Sequence, residues 1–279
     1  MKKFFLIYFL SLHTFSELTL EITQGTEDPY RVAIIEFSGS NDTSTDIQNI
    51  IFNNLLRTGE FIIFDDKDLL SVPTAEEDIV FNDFKILNID YLVMGTVQDD
   101  DLNIVVEYQV FDISKTKKIR TSTVYGIPNK NRQLAHYISD GIYEEITGIP
   151  GIASTKILYV TEDINFKLLI SDADGNNEQV LLESSEPIIS PSWSPDSKKV
   201  AYVSFETGIA KVYIQDIASG NRQVAVENSS QISSPAWSPD GKFLSLTMYQ
   251  DGNAEIYILN LKNKNLTRLT NHYAIDTES

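Results

Sequence analysis

The chain of 279 residues is 42% apolar, which is enough to bury the core of one large domain or of two ordinary ones, and we expect two. Its 40 acidic and 22 basic residues give a formal net charge of −18, so its surface repels nucleic acid and anionic lipid headgroups. The sequence contains no cysteine, which excludes disulfides, thiolate metal sites and cysteine nucleophiles and is consistent with an oxidising compartment.

The first residues have the pattern of a secretory signal peptide. Met1-Lys2-Lys3 is positively charged, and the apolar run that follows, 4–12 (FFLIYFLSL), is shorter than the roughly 20 residues that a membrane-spanning helix needs. The small residues Thr14 and Ser16 favour cleavage after Ser16, so residues 1–16 are predicted to be a signal peptide without direct membrane insertion. The alternative, a buried amphipathic first helix, fits less well because the apolar residues do not follow a 3.6-residue period.

Residues 17–150 mix strand and helix patterns and predict an N-terminal α/β (mixed α+β) domain. Apolar and alternating runs predict strands at 32–37, 61–64, 91–98, 102–113 and 118–126. Helical spacing predicts helices through 47–55, 81–87 and 133–146. The glycine- and proline-containing stretch at 148–151 (GIPG) marks the end of this domain.

From residue 152 onward the helical period is lost and the sequence repeats. The stretch 190–196 (SPSWSPD) recurs at 234–240 (SPAWSPD), the flanking strand patterns keep the same phase, and a degenerate earlier copy runs through 157–180. A period of about 40–45 residues with four short strands is typical of a β-propeller blade. Residues 152–279 are therefore predicted to be an incomplete all-β propeller of about three blades, with a solenoid or a sandwich as the alternative.

The repeated motif contains six residues with predicted structural roles: Trp193, Pro195, Asp196, Trp237, Pro239 and Asp240. The stretch 238–241 (SPDG) fits a type I turn between the first and second strands of a blade, because proline suits its second position and glycine its fourth. Ser197 replaces that glycine in the earlier copy, and a type I turn tolerates the change. Each tryptophan is predicted to pack between adjacent blades.

We find no catalytic constellation in the sequence. His13 would leave with the signal peptide, and His136 and His272 fall on a helix and in a distant loop, so no metal triad is predicted. The glycine-rich loops of nucleotide-binding proteins and the G-x-S-x-G motif of hydrolases are absent. The stretch 172–178 (DADGNNE) offers oxygen ligands but lacks the full spacing of a calcium loop, and it is interpreted as a turn. We therefore expect a protein that is not an enzyme and has no cofactor.

The order of these parts resembles the TolB family throughout the chain, most specifically in 190–196, 234–241 and the terminal stretch 269–278. The resemblance implies a periplasmic component of the Tol–Pal system, a protein-docking module that supports outer-membrane integrity and outer-membrane invagination during cell division. TolB-type propellers close with six blades, so the resemblance also predicts that this chain is truncated at its C-terminus.

The resemblance further implies two docking sites. The mature N-terminal segment would be recognised by the inner-membrane protein TolA, and this role falls on Glu17, Leu18, Leu20 and Ile22. Their alternating pattern suits the addition of a strand to a partner's sheet, whereas the alternative is an ordinary edge strand of the first domain. The mouth of the propeller channel would receive the Pal lipoprotein, with other Tol proteins and colicins as further partners. The candidates for Pal docking are Gln231, Ser234, Thr277 and Glu278.

Two rival functions remain open at this point. A periplasmic propeller that binds glycan or peptide ligands would carry aromatic residues clustered on its channel loops. A propeller that forms part of a hydrolase would be joined to a catalytic domain. If the propeller is incomplete, we expect Pal to bind more weakly than it does to a complete relative.

Overall fold

The computed structural model describes residues 28–39, 41–99, 102–128, 130–227, 231–250 and 252–277. The predicted signal peptide, the segment that contains Glu17, Leu18, Leu20 and Ile22, and the docking candidate Glu278 lie outside these ranges. Within them, no helix combines the length and apolar character needed to cross a bilayer.

The first half of the described chain is built on one mixed sheet. Its strands are β1 (Tyr30–Ile34), β2 (Ser38–Gly39), β3 (Phe61–Phe64), β4 (Tyr91–Asp99), β5 (Ile104–Asp112) and β6 (Lys117–Gly126). They lie in the order β3-β1-β4-β5-β6, with β2 beside β4. β1 runs parallel to β3 and β4, whereas β4, β5 and β6, which match the strands predicted at 91–98, 102–113 and 118–126, form an antiparallel meander.

Three helices accompany this sheet: α1 (Asn41–Arg57), α2 (Phe81–Ile86) and α3 (Asn131–Thr147). α1 and α3 contact each other, and the apolar side chains of α1 at the predicted spacing, such as Ile47 and Ile51, are fully buried in one core with those of α3. Phe84 of α2 belongs to a second core, which includes Ala33 of β1 and Phe111 of β5. The sheet thus lies between two apolar layers, as expected when strands carry continuous apolar runs.

The second half consists of three antiparallel sheets, each one blade. Blade 1 comprises β7 (Lys156–Glu162), β8 (Phe166–Asp172) and β9 (Gln179–Ser184). Blade 2 comprises β10 (Ile188–Trp193), β11 (Lys199–Ser204), β12 (Lys211–Asp216) and β13 (Arg222–Glu227). Blade 3 comprises β14 (Ile232–Trp237), β15 (Phe243–Gln250), β16 (Asn253–Asn260) and β17 (Leu266–Arg268). A mixed α/β unit followed by an incomplete propeller is the fold class that the sequence predicts.

The two repeat tryptophans lie where neighbouring blades meet. Trp193 packs against a cluster that includes Leu168 of blade 1 and Val200 of blade 2. Trp237 packs against a cluster that joins blade 2 to blade 3. The first strand of blade 2, β10, contacts both β7 and β14. Buried apolar contacts between consecutive blades therefore hold this half together, as in other repeat architectures.

The repeated turn has the same hydrogen bonds in both copies. The amide of Ser197 donates to the carbonyl of Ser194 (2.9 Å), and the amide of Gly241 donates to that of Ser238 (2.9 Å). The motif aspartates Asp196 and Asp240 each accept a hydrogen bond of 2.7 Å from the serine hydroxyl two residues earlier. The hydrogen bond from Ser238 is the main reason why the pKa of Asp240 is lowered to about 2.

The fourth position of this turn has a left-handed backbone, which the turn pattern in the sequence does not predict. Ser197 has φ of 56° and Gly241 has φ of 68°. The left-handed region costs a residue with a side chain roughly 1–2 kcal/mol, and glycine avoids this cost at the expense of greater unfolded-state entropy. The earlier copy therefore carries local strain that the later copy lacks.

Ser197→Gly is expected to raise the free energy of unfolding by about 0.5 kcal/mol, because relief of the left-handed strain slightly exceeds the entropy that glycine loses. The matched change Gly241→Ala should lower it by about 1 kcal/mol, since a Cβ is introduced at positive φ. Urea denaturation of the two variants beside the parent chain measures both shifts. Equal signs for the two substitutions would contradict this account of the turn.

Candidate functional site: an exposed edge of the propeller blades

Two of the predicted docking residues, Gln231 and Thr277, lie at the same end of blade 3. The carbonyl of Gln231 accepts a hydrogen bond from the amide of Tyr249 (2.9 Å), and Tyr249 is paired with Ala254 across β15 and β16. The carbonyl of Ala254 accepts in turn from the amide of Asp276 (3.0 Å). Gln231 and Thr277 are both exposed. This end of the blade is opposite to the repeated turn at 238–241.

The third candidate, Ser234, lies inside β14 and not in a loop at the mouth of the channel. It is half-buried, with φ of 51°, at an irregularity of the ladder between Ser233 and Ala236. Pro235 follows it, and proline has no amide to donate to the neighbouring strand, so the ladder is interrupted there. Ser190 in β10 has the same conformation, with φ of 52°. Ser234 is thus part of a repeated strand bulge.

A buried carboxylate fixes the segment that leads to Thr277. The side chain of Glu255 is 1% exposed and accepts hydrogen bonds from the Thr270 hydroxyl (2.6 Å), the Arg268 guanidinium (2.7 Å) and the His272 amide (3.0 Å). These donors, the Thr270 hydroxyl first, hold the pKa of Glu255 at about 2. Glu255 therefore stays ionised throughout the neutral range and fastens the segment to blade 3 by charge-assisted hydrogen bonds.

Exposed apolar side chains recur at this end of the blades. We define the hairpin edge as the described residues of the strand-connecting hairpins, 163–165, 205–210, 249–250 and 252–253, together with the segment 271–277. The three strands of blade 1 correspond to the last three strands of blades 2 and 3, so the equivalent hairpins emerge at the same end. The large apolar residues of the edge, with their exposed fractions, are Ile164 (90%), Ile209 (41%), Tyr249 (46%), Tyr273 (92%) and Ile275 (70%). These residues were not among the sequence-based candidates, although the repeat itself locates the hairpin between the second and third strands of a full blade.

The two halves of the described chain are joined by a tightly packed linker. The carboxylate of Asp140 on α3 accepts hydrogen bonds from the amides of Ala153 (2.6 Å) and Ser154 (2.9 Å). Gly151 lies so close to α3 that a Cβ added there would be 2.5 Å from the Cα of Asp140. A cavity of about 390 Å³ lies beside this linker, between α1 and α3. The linker is therefore bonded to the first domain and is not a loose tether.

The fold and its exposed edge define a class of protein in which an α/β domain is followed by β-propeller blades. The profile of the TolB amino-terminal domain matches residues 18–119, and that of the TolB beta propeller domain matches residues 143–279. The chain belongs to the TolB family.

Similar proteins support this assignment. The Tol-Pal system protein TolB of Alcanivorax borkumensis is 43% identical over 196 residues, which are 68% of this chain and 45% of that protein. The Tol-Pal system protein TolB of Pseudomonas aeruginosa is 36% identical over 202 residues, which are 70% of this chain and 47% of that protein. The crystal structure of TolB from Acinetobacter baumannii is similar with a TM-score of 0.84 at 35% identity, covering 92% of this chain and 64% of that one. The chain thus spans about half the length of the curated relatives it matches.

Proposed function

We propose that this chain is a non-enzymatic docking module of the Tol–Pal system in the bacterial periplasm, where it supports outer-membrane integrity and outer-membrane invagination during cell division. The proposal rests on family membership, since the curated relatives of this chain bear the name Tol-Pal system protein TolB. The predicted signal peptide, the acidic surface and the lack of cysteine fit this location.

The hairpin edge is the docking surface that we assign to the Pal lipoprotein. Exposed apolar side chains grouped at one edge favour a protein interface, and tyrosine is among the residues that most often dominate binding energy. Tyr249 is 46% exposed, and its amide donates a hydrogen bond to the carbonyl of Gln231, the residue just before β14. Hydrogen bonds from the His272 amide to Glu255, and from the Asn253 side chain to the carbonyls of His272 and Ala274, attach the segment 271–277 to blade 3, and such attachment lowers the entropy cost of binding.

The second partner that we assign is TolA, through the segment that contains Glu17, Leu18, Leu20 and Ile22. This assignment rests on the family resemblance and on the alternating pattern of the segment, which suits pairing with a partner's strand. A peptide of this segment would be expected to compete with the full chain for TolA.

Tyr249→Ala is expected to weaken Pal binding by about tenfold or more, because truncation of an interface tyrosine commonly removes over 1 kcal/mol of binding energy. Isothermal titration of the purified chain with soluble Pal measures the change. Phe243→Ala is the matched control, since Phe243 is an aromatic residue of the same strand at its opposite end and is 37% exposed. Unchanged binding in Tyr249→Ala, or an equal loss in Phe243→Ala, would contradict the assignment of the surface.

A ligand-binding propeller is the second candidate function, and the exposed tyrosines Tyr249 and Tyr273 are the observation that favours it. Aromatic rings stack on sugar rings as well as on protein side chains. Titration with peptidoglycan fragments separates the two functions. The second candidate would be supported, and the first excluded, if the chain bound glycan saturably and did not bind Pal. Both Tyr249→Ala and Tyr273→Ala should then abolish the glycan binding.

A further inference from the structure

A histidine of the first domain faces two carboxylates of the propeller across the domain junction. The Nε2 atom of His136, on α3, is 3.6 Å from Oδ2 of Asp174 and 3.9 Å from Oδ2 of Asp172. The histidine side chain is 2% exposed and that of each aspartate is 7% exposed. Asp172 ends β8, and Asp174 lies in the turn that follows it. Sequence reasoning did not bring these three residues together because they belong to different domains.

The two nitrogens of the His136 ring have different surroundings. Nδ1 lies 2.8 Å from the side-chain amide of Asn54 on α1, which orients the ring. Nε2 is buried and has no hydrogen-bond partner within the described residues. A buried polar atom without a partner is costly, and each such atom in a folded protein calls for an explanation.

We propose that His136, Asp172 and Asp174 form a binding site for a divalent transition-metal ion that ties the first domain to blade 1. The three ligand atoms lie within 4.8 Å of one another. Zinc bound to histidine and carboxylate ligands at about 2.0–2.2 Å places neighbouring ligand atoms about 3.3–3.5 Å apart. The two distances from Nε2, 3.6 and 3.9 Å, therefore need to close by a few tenths of an ångström, and the separation of the two carboxylate ligand atoms, which is at most 4.8 Å, by up to about 1.5 Å.

The combination of one imidazole and two carboxylates favours some cations over others. An imidazole nitrogen suits zinc, nickel or cobalt, whereas calcium and magnesium prefer oxygen ligands alone. The side-chain nitrogen of Asn54 lies at Nδ1 and donates to the Ser139 hydroxyl (2.9 Å), while Arg57 donates to the Asn54 side-chain oxygen (3.2 Å), so in this arrangement Nδ1 accepts and Nε2 carries the ring proton. Ligation through Nε2 moves that proton to Nδ1, which requires the Asn54 amide to reverse and the exposed Arg57 side chain to turn towards solvent. A polar partner at the second ring nitrogen is the usual arrangement around a metal-bound histidine.

Two basic side chains compete with the metal for the same carboxylates. Arg132 forms an ion pair with Asp174, and Lys156 forms one with Asp172. Their side chains are 32% and 50% exposed, respectively, so both can turn towards solvent when a metal ion takes their place. Because Lys156 neutralises part of the charge that attracts the cation, its removal should strengthen metal binding.

Isothermal titration of the full chain with zinc chloride tests the proposal, and cobalt absorption in the visible range reports the coordination geometry. We expect one saturable site per chain, loss of at least about tenfold in affinity in His136→Gln and Asp174→Asn, and tighter binding in Lys156→Gln. His272→Gln is the control for histidines on the surface, and it should bind zinc like the parent chain.

Zinc should also raise the thermal midpoint of the parent chain, because a ligand that binds only the folded state stabilises it. The absence of saturable binding, or an affinity unchanged in both His136→Gln and Asp174→Asn, would overturn the proposal. If His136→Gln does not fold, Asp174→Asn and Lys156→Gln decide the question, since they must shift the affinity in opposite directions.

Discussion

Replacing Tyr202 with alanine is expected to lower the free energy of unfolding of the propeller by about 3–5 kcal/mol, the usual cost of deleting a buried aromatic side chain. Tyr202 is 0% exposed, and its ring stacks on that of Tyr213 with centroids 5.8 Å apart. It belongs to the apolar cluster that joins blade 2 to blade 1. The change would therefore remove packing within a blade and between blades at once. Urea denaturation followed by intrinsic fluorescence measures the loss.

The conservative change Tyr202→Phe separates packing from hydrogen bonding. The hydroxyl of Tyr202 donates to Oε1 of Gln215 (2.9 Å), and Nε2 of Gln215 donates to the carbonyl of Leu181 in blade 1 (3.1 Å). Losing the hydroxyl should cost about 1 kcal/mol and leave the packing intact. If Tyr202→Phe proved as damaging as Tyr202→Ala, the hydrogen bond and not the packing would be the dominant contribution.

Asp140→Ala is expected to lower the free energy of unfolding by about 3 kcal/mol, because it removes two charge-assisted hydrogen bonds worth roughly 1.5 kcal/mol or more each. These bonds hold the amides of Ala153 and Ser154 at the start of the propeller. We also expect faster proteolysis between the two domains. Limited digestion and mass spectrometry of the fragments locate the cleavage, and urea denaturation gives the free energy.

Asp163→Ala is the matched control for this junction, since Asp163 is an exposed acidic residue in the hairpin of blade 1. A surface change of this kind usually alters stability by less than about 0.5 kcal/mol. Asp140→Asn should be intermediate, because the amide oxygen still accepts one hydrogen bond but carries no charge. Equal protease resistance of Asp140→Ala and the parent chain would show that other contacts hold the linker.

The elements of this fold were largely predictable because their patterns are local. Ile47, Ile51 and Leu55 repeat at helical spacing, and all three are buried along α1. The strand 61–64 was predicted with the bounds that the structure gives, since it is a short apolar run between turn residues. The blades could be predicted from the recurrence of the tryptophan motif, because this motif sets both the period and the phase of the strands.

The features that sequence reasoning missed depend on contacts between distant parts of the chain. His136 meets Asp172 and Asp174 only because α3 packs against the end of β8, and no spacing along the sequence encodes that approach. The left-handed conformation of Ser197 was not predicted because a serine does not indicate positive φ, whereas a glycine such as Gly241 does. Pro235 did offer a sign of the bulge at Ser234, since proline inside a strand interrupts the ladder.

Hydrogen exchange of the chain with and without soluble Pal tests most directly the claim that the hairpin edge is a docking surface. We predict slower exchange in peptides that cover 205–210, 249–253 and 271–277 when Pal is added. The repeated turns at 194–199 and 238–243 lie at the opposite end of the blades and should exchange at unchanged rates. Protection confined to those turns, or no protection at saturating Pal, would contradict the proposed docking function.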